Sequence, residues 1–200
     1  VEAVGSESAG DIVPTPVTGP KVLPTRVDTA VITSPDILFV TQAAFLTADD
    51  LQTIAAELAQ PDTHFGLSLY GESGPVGVYD LTTEMETLTA VLNQSPTTVD
   101  EPITIANALS AGIELPGWRE NGNPRLIFLI TDAPVPPEDA ATLMEWVDTA
   151  ASQNIQINPI LLGDGDVPIW IEVAESTNGG LLILADTADL ITVIIEAIKE

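Results

Sequence analysis

Five consecutive apolar residues, Leu126-Ile127-Phe128-Leu129-Ile130, stop abruptly at Thr131-Asp132. Turn-forming residues bracket the run, with Asn121-Gly122-Asn123-Pro124 before it and Pro134 after it. So short a run without alternation fits a strand covered on both faces. The stretch that follows, Pro137 to Gln153, reads as a helix and makes the connection an α/β crossover. A strand in the middle of an open α/β sheet presents its carboxyl end to the crevice where such sheets bind ligands. Asp132 therefore stands where chemistry is expected, and its neighbours decide which chemistry that is.

Asp36-Ile37-Leu38-Phe39-Val40-Thr41 is a second short apolar run and a second central strand. Ala48-Asp49-Asp50 opens a helix in which Leu51, Ile54, Ala55 and Leu58 recur at helical spacing, with acids in the first turn to suit the dipole. Phe65 to Tyr70 and Val76 to Tyr79 flank Gly71-Glu72-Ser73-Gly74-Pro75, a hairpin signal. Thr83 to Asn93 reads as a helix and Ser95 to Glu101 as a polar loop. Ile105, Leu109 and Ile113 mark a further helix, and Leu143, Val147 and Ala150 line the one after the Asp132 strand. Ile155 to Leu162 is a strand ending at Gly163-Asp164-Gly165-Asp166, read as a turn. Pro168 to Thr177 is a short helix, Leu181 to Leu184 a last strand, and Leu190, Val193, Ile194 and Ala197 belong to a closing helix. Strands alternating with helices imply a doubly wound α/β fold. The expected sheet is six-stranded and mostly parallel, with one antiparallel edge strand from the hairpin and helices on both faces.

Residues 1–35 differ from the rest. Pro14, Pro16, Pro20, Pro24 and Pro35 punctuate a Val/Thr/Gly-rich tract, which reads as an extended arm or linker ahead of a domain at 36–200. Thr29 to Thr33 could add a short strand. The first residue is Val1 rather than Met, as expected of a mature or excised fragment.

Charge excludes several partners. Thirty acids face five bases, a net charge of −25. Nucleic acid needs cations to displace its counterions, so it is not an expected partner, and neither is an anionic membrane surface. No apolar run is long enough to span a bilayer, so membrane insertion is not expected. A solvated acidic surface suits a salty or extracellular medium; a basic partner is the sharper alternative. Without cysteine there are no thiolate metal sites. His64 is the only histidine and has no nucleophile motif beside it, and neither a Rossmann glycine pattern nor a P-loop is present. The chain is therefore read as not an enzyme.

The order of these motifs resembles a von Willebrand factor A (vWA) domain, nearest to the I-like domain of integrin β subunits, over about 36–200. Asp36 to Val40 is similar to that family's first strand, and Thr47-Ala48-Asp49-Asp50-Leu51 to the helix start that follows. Asp100-Glu101-Pro102, ahead of Asn107-Ala108-Leu109, resembles its metal loop. Gly117-Trp118-Arg119 followed by Leu126 to Asp132 resembles its fourth strand and approach. The resemblance implies a metal-ion-dependent adhesion site. Its first loop carries an acid and two hydroxyls, its second loop a Thr or Glu, and the fourth strand ends in an Asp.

Here the first loop reads Gln42-Ala43-Ala44-Phe45-Leu46. The acid is replaced by Gln42 and the hydroxyls by Ala44 and Leu46. A register shifted to begin at Thr41 restores neither hydroxyl. The second-loop position falls on Ile103, and only Asp132 matches. Magnesium demands near-octahedral oxygen coordination and calcium at least six oxygens, so this set implies a degenerate site and no cofactor. The alternative is Ca2+ or Mg2+ at a non-standard site, with Asp49, Asp50 and Asp100 as calcium candidates on the resemblance. Trp118, in a loop, is the candidate interface anchor. The expected function is a metal-independent protein–protein interaction or adhesion module, extracellular or at the cell surface. The alternative is a self-assembling subunit of a surface layer, sheath or filament that uses the 1–35 arm.

Overall fold

The computed structural model of the protein describes residues 34–58, 60, 62–73, 76–94, 98–120, 122–163 and 167–199. All of them fall in one of the two units into which the chain divides, Ile32–Glu200. The expected strand at Thr29 to Thr33, the body of the proline-rich arm and the Asp164–Asp166 turn lie outside the described residues.

The first strand, β1 (Asp36–Thr41), is buried at every position. It leads into α1 (Ala48–Leu58), then β2 (His64–Leu69), the short β3 (Gly71–Ser73) and β4 (Gly77–Thr82). Next come α2 (Met85–Leu92), β5 (Thr98–Ile103), α3 (Ile105–Ile113) and β6 (Arg125–Thr131). The chain closes with α4 (Pro137–Ser152), β7 (Ile155–Leu162), α5 (Val167–Thr177), β8 (Leu182–Leu184) and α6 (Leu190–Lys199). The main sheet has six strands in the order β4-β2-β1-β6-β7-β8. All neighbours are parallel except β2 and β4. This is the expected doubly wound sheet with one antiparallel edge strand.

Side chains alternate across a strand, so each central strand feeds two cores. Leu38 and Val40 of β1 join Ile127 and Leu129 of β6 on one face, under Leu109 of α3, Leu143 and Val147 of α4 and Trp170 of α5. Ile37 and Phe39 join Phe128 and Ile130 on the other, under Leu51 and Ile54 of α1, Leu88 of α2 and Ile194 of α6. The Phe39 and Phe128 rings stack across this second face, with centroids 5.9 Å apart. Each such aromatic or aliphatic side chain contributes about 1.5–3 kcal/mol by leaving water.

The expected hairpin forms, with β2 and β4 antiparallel, but two stretches expected as loops do not stay loops. The loop between β2 and β4 carries β3, and the stretch expected as a polar loop is largely β5. These two pair antiparallel as a separate small sheet, Gly71 with Ile103 and Ser73 with Thr98. A two-stranded ladder leaves one edge of each strand free, so a strand containing Pro102 is tolerated. Gly71 and Gly77 bound the excursion with φ of 135° and 140°, a backbone region that other residues rarely adopt.

The amino end of the sheet is tied by charge. Asp36 is fully buried, and its carboxylate accepts hydrogen bonds from the Arg119 backbone N–H at 2.8 Å and from Nε at 2.6 Å. Arg119 Nη2 also donates to the Ser34 carbonyl at 2.7 Å. Arg125 in turn donates to the Arg119 carbonyl through Nε at 2.9 Å and Nη2 at 2.8 Å. His64 Nδ1 stands 3.8 Å from Asp36. The lone histidine thus belongs to this end, a full strand length away from Asp132.

Candidate functional site

The crevice of an open parallel sheet lies where successive connections run in opposite directions from adjacent strands. Here that point is between β1, which leads away toward β2, and β6, which leads away toward β7. Thr41 ends the first strand and Thr131-Asp132 the second.

Tyr70 occupies this position, and the sequence reading missed it. It follows β2 directly, and its backbone N–H donates to the Thr41 carbonyl at 3.1 Å. Its side chain reaches across the end of β1 and donates from the hydroxyl to the Ile130 carbonyl of β6 at 2.8 Å. The residue is 6% exposed, and its ring belongs to the core cluster of Val40, Ile105 and Leu129. Burial pushes the Tyr70 phenol up to about 12; polar contact with the side chains of Thr131 and Gln42 opposes the rise, and the Asp132 carboxylate adds to it. The phenol is therefore neutral at neutral pH, a donor to β6 rather than an anionic ligand. A tyrosine closing an apolar strand was the available signal, because a buried phenol needs a partner.

The expected site positions are scattered. Gln42 is half-buried, and its carbonyl accepts the Phe45 N–H at 3.0 Å in the turn after β1. Ala44 is exposed, whereas Leu46 is fully buried in the core with Ile37 and Leu51. Leu46 therefore cannot line the crevice, which corrects its assignment as a site position. Asp132 is exposed.

Ile103 is half-buried and lines a cavity of about 270 Å3 beside the crevice. Tyr70, Ile105, Thr131, Pro134 and Asp139 also line it. Local chemistry shapes this cavity. Thr131 Oγ1 accepts the Ala133 N–H at 3.2 Å and turns the chain after β6. Pro136 and Pro137 then set the start of α4. Opposite, the Thr104 hydroxyl caps α3 by accepting the Asn107 N–H at 3.2 Å.

Asp50 Oδ2 accepts from the Thr47 N–H at 2.9 Å and the Thr47 hydroxyl at 2.7 Å, while the Asp50 N–H returns to Thr47 Oγ1. This reciprocal pair caps the start of α1. Asp49 is exposed, and the Asp100 side chain lies outside the described residues. Trp118 is 9% exposed, with its indole N–H donating to the Gly112 carbonyl at 2.9 Å. It is a core residue that seals the end of α3 and presents no anchor to a partner. Among the described residues no group of three or more Asp, Glu or His gathers to hold a metal ion.

No protein-family model matches the chain, and no curated protein matches it either. Its likeness is to solved structures, and it is a likeness of fold. BatB from Bacteroides thetaiotaomicron superposes with a TM-score of 0.63 at 14% identity, over 83% of this chain and 98% of its own. A von Willebrand factor type A protein from Catenulispora acidiphila gives 0.61 at 11% identity, over 83% of this chain and 42% of that one. Proximal thread matrix protein 1 of the mussel byssus, with zinc in its adhesion-site motif, gives 0.60 at 15% identity over 84% and 46%. The fold is that of vWA-type domains.

Proposed function

We propose that this domain is a non-catalytic protein-interaction module of vWA type that binds without a metal ion, outside the cell or at its surface. The observation carrying this reading is the Tyr70 phenol, buried at the crevice and hydrogen-bonded to the Ile130 carbonyl. The oxygens around it are the Asp132 carboxylate, the Gln42 amide, the Thr131 hydroxyl and a neutral phenol. A divalent ion needs about six oxygens, so this set does not fit one. The acidic composition supports a salty or extracellular setting. Calorimetry with Mg2+, Mn2+ and Ca2+ is expected to give no saturable heat and no rise in melting temperature. Micromolar binding of one ion per chain would overturn the proposal.

A second reading is a structural subunit of a surface layer, sheath or filament that assembles through residues 1–35. The edge strand β8 favours it: among the described residues it pairs with β7 alone, and Ile183 on it is 53% exposed. An open strand edge accepts a strand from another chain. Deleting residues 1–35 should abolish assembly measured by light scattering; assembly that survives the deletion sinks this reading.

A further inference from the structure

We propose that the cavity beside the crevice binds a basic side chain, lysine or arginine, from an extended segment of a partner protein, with Asp139 as the paired carboxylate and Asp132 at the rim. This rests on reading the domain as an interaction module. The shape comes first. A space of about 270 Å3 walled by Tyr70, Ile103, Ile105 and Pro134 is apolar along its sides and open to solvent. Lysine and arginine carry apolar stems that pack on such walls while the charged head stays near water.

The electrostatics point the same way. Asp139 lines the cavity, and Asp132 sits between two of its lining residues, Thr131 and Ala133. Among the described residues neither carboxylate accepts a hydrogen bond or joins an ion pair. Among the described residues the cations are elsewhere. Arg119 and Arg125 are held at the amino end of the sheet, and Lys199 of α6 stands 3.9 Å from Glu57. Arg125 and Thr131 are the two ends of β6, roughly 20 Å apart at 3.3 Å per residue.

The amino termini of α3 and α4 also face this end of the sheet, and by themselves would favour an anion. Each contributes only about half a positive charge. Glu138 and Asp139 lie in the first turn of α4, and Asp132 adds a third full negative charge. Full charges outweigh partial ones, so an acidic ligand is repelled and a cation is drawn in. The net charge of −25 extends that attraction beyond contact range.

The test is an amide-shift NMR titration of the full chain with four capped amino acids: the N-acetyl, N-methylamide forms of lysine, arginine, norleucine and glutamate. The lysine and arginine probes should give saturable shifts at Tyr70, Ile103, Thr131 and Ala133 in the millimolar range; norleucine and glutamate should not. Asp139→Asn should weaken the basic probes by at least about tenfold, the scale of a lost charge-assisted bond. Ala133→Phe, which fills the cavity without touching charge, should abolish binding. Melting curves of both variants check that the fold is kept.

Equal shifts from norleucine would reduce the site to an apolar slot and overturn the proposal. So would binding of glutamate, or silence toward all four probes. These failures are separable from failure of the metal-independent reading. A cation that binds in calorimetry sinks that reading, whereas silent calorimetry with silent NMR sinks only the basic-ligand proposal.

Discussion

The two ends of the central strands hold their polar groups in opposite ways. At the amino end Asp36 is fully buried and answered in full by Arg119, which Arg125 clamps in place. At the carboxyl end the Asp132 carboxylate stays in solvent, and the buried polar group is the neutral Tyr70 phenol. A charge survives burial where an opposite charge and its hydrogen bonds come with it. Two of the five basic residues of the chain are committed to the amino end. The carboxyl end is left with an uncharged plug, an exposed acid and a cavity. One end holds the sheet together through a paired buried charge; the other leaves its acid to solvent.

The largest test of this contrast is Arg119→Ala. Removing the partner of a buried carboxylate should cost about 3–5 kcal/mol in chemical denaturation. Arg119→Lys should recover only part of it, because an ammonium cannot supply the forked geometry. A loss near zero would mean that the amino end is not locked as described.

Tyr70 gives the next effect, and it depends on pH. Its phenol is raised from 10 to about 12, so the folded state keeps a proton that the unfolded chain gives up sooner. The associated stability, roughly 2–3 kcal/mol, is therefore fully present below pH 10 and is lost as pH rises through 12. Urea midpoints across that window should fall for the native chain. Tyr70→Phe should remove that part of the fall, at a cost near neutral pH of about 1–3 kcal/mol for the unpaired Ile130 carbonyl. An unchanged alkaline profile in the variant would remove Tyr70 from its place in the crevice.

Asp132→Asn should have the smallest effect on folding, within about 0.5 kcal/mol, since the residue is exposed and away from packed features. A large loss of stability would show that Asp132 is structural and erase the difference between the two ends.

Much of the scaffold was legible. Asp36 to Thr41 and Leu126 to Ile130 announce themselves as buried strands because burial on both faces demands uninterrupted hydrocarbon. The helices follow from spacing, which is a local property. The small sheet was not legible. Thr98 to Ile103 is polar and holds a proline, and it becomes a strand only through pairing with Gly71–Ser73. Trp118 misled for a related reason. A loop position suggested exposure, but the indole turns inward because the Gly112 carbonyl at the end of α3 needs its N–H.

The site itself was half visible. Gln42, Ala44, Ile103 and Asp132 could be read as a set poor in oxygen donors, yet Leu46 turned out to lie in the core and Asp50 to be the cap of its helix. Tyr70 was passed over because its meaning depends on strand order. Only with β1 lying between β2 and β6 does a phenol at the end of β2 reach the Ile130 carbonyl. Likewise Asp36 and Arg119 stand 83 residues apart, and nothing local joins them.

Composition and periodicity by themselves determined the α/β class, the central strands and the acidity, because each depends on residues near in sequence or on their sum. Tertiary structure alone decided which polar groups meet. Strand order and register brought Asp36 to Arg119, carried the Tyr70 phenol over the end of β1, and left Asp139 and Asp132 beside an apolar cavity. Hydrogen bonds and ion pairs act over a few ångströms of space, and distance along the chain does not report that.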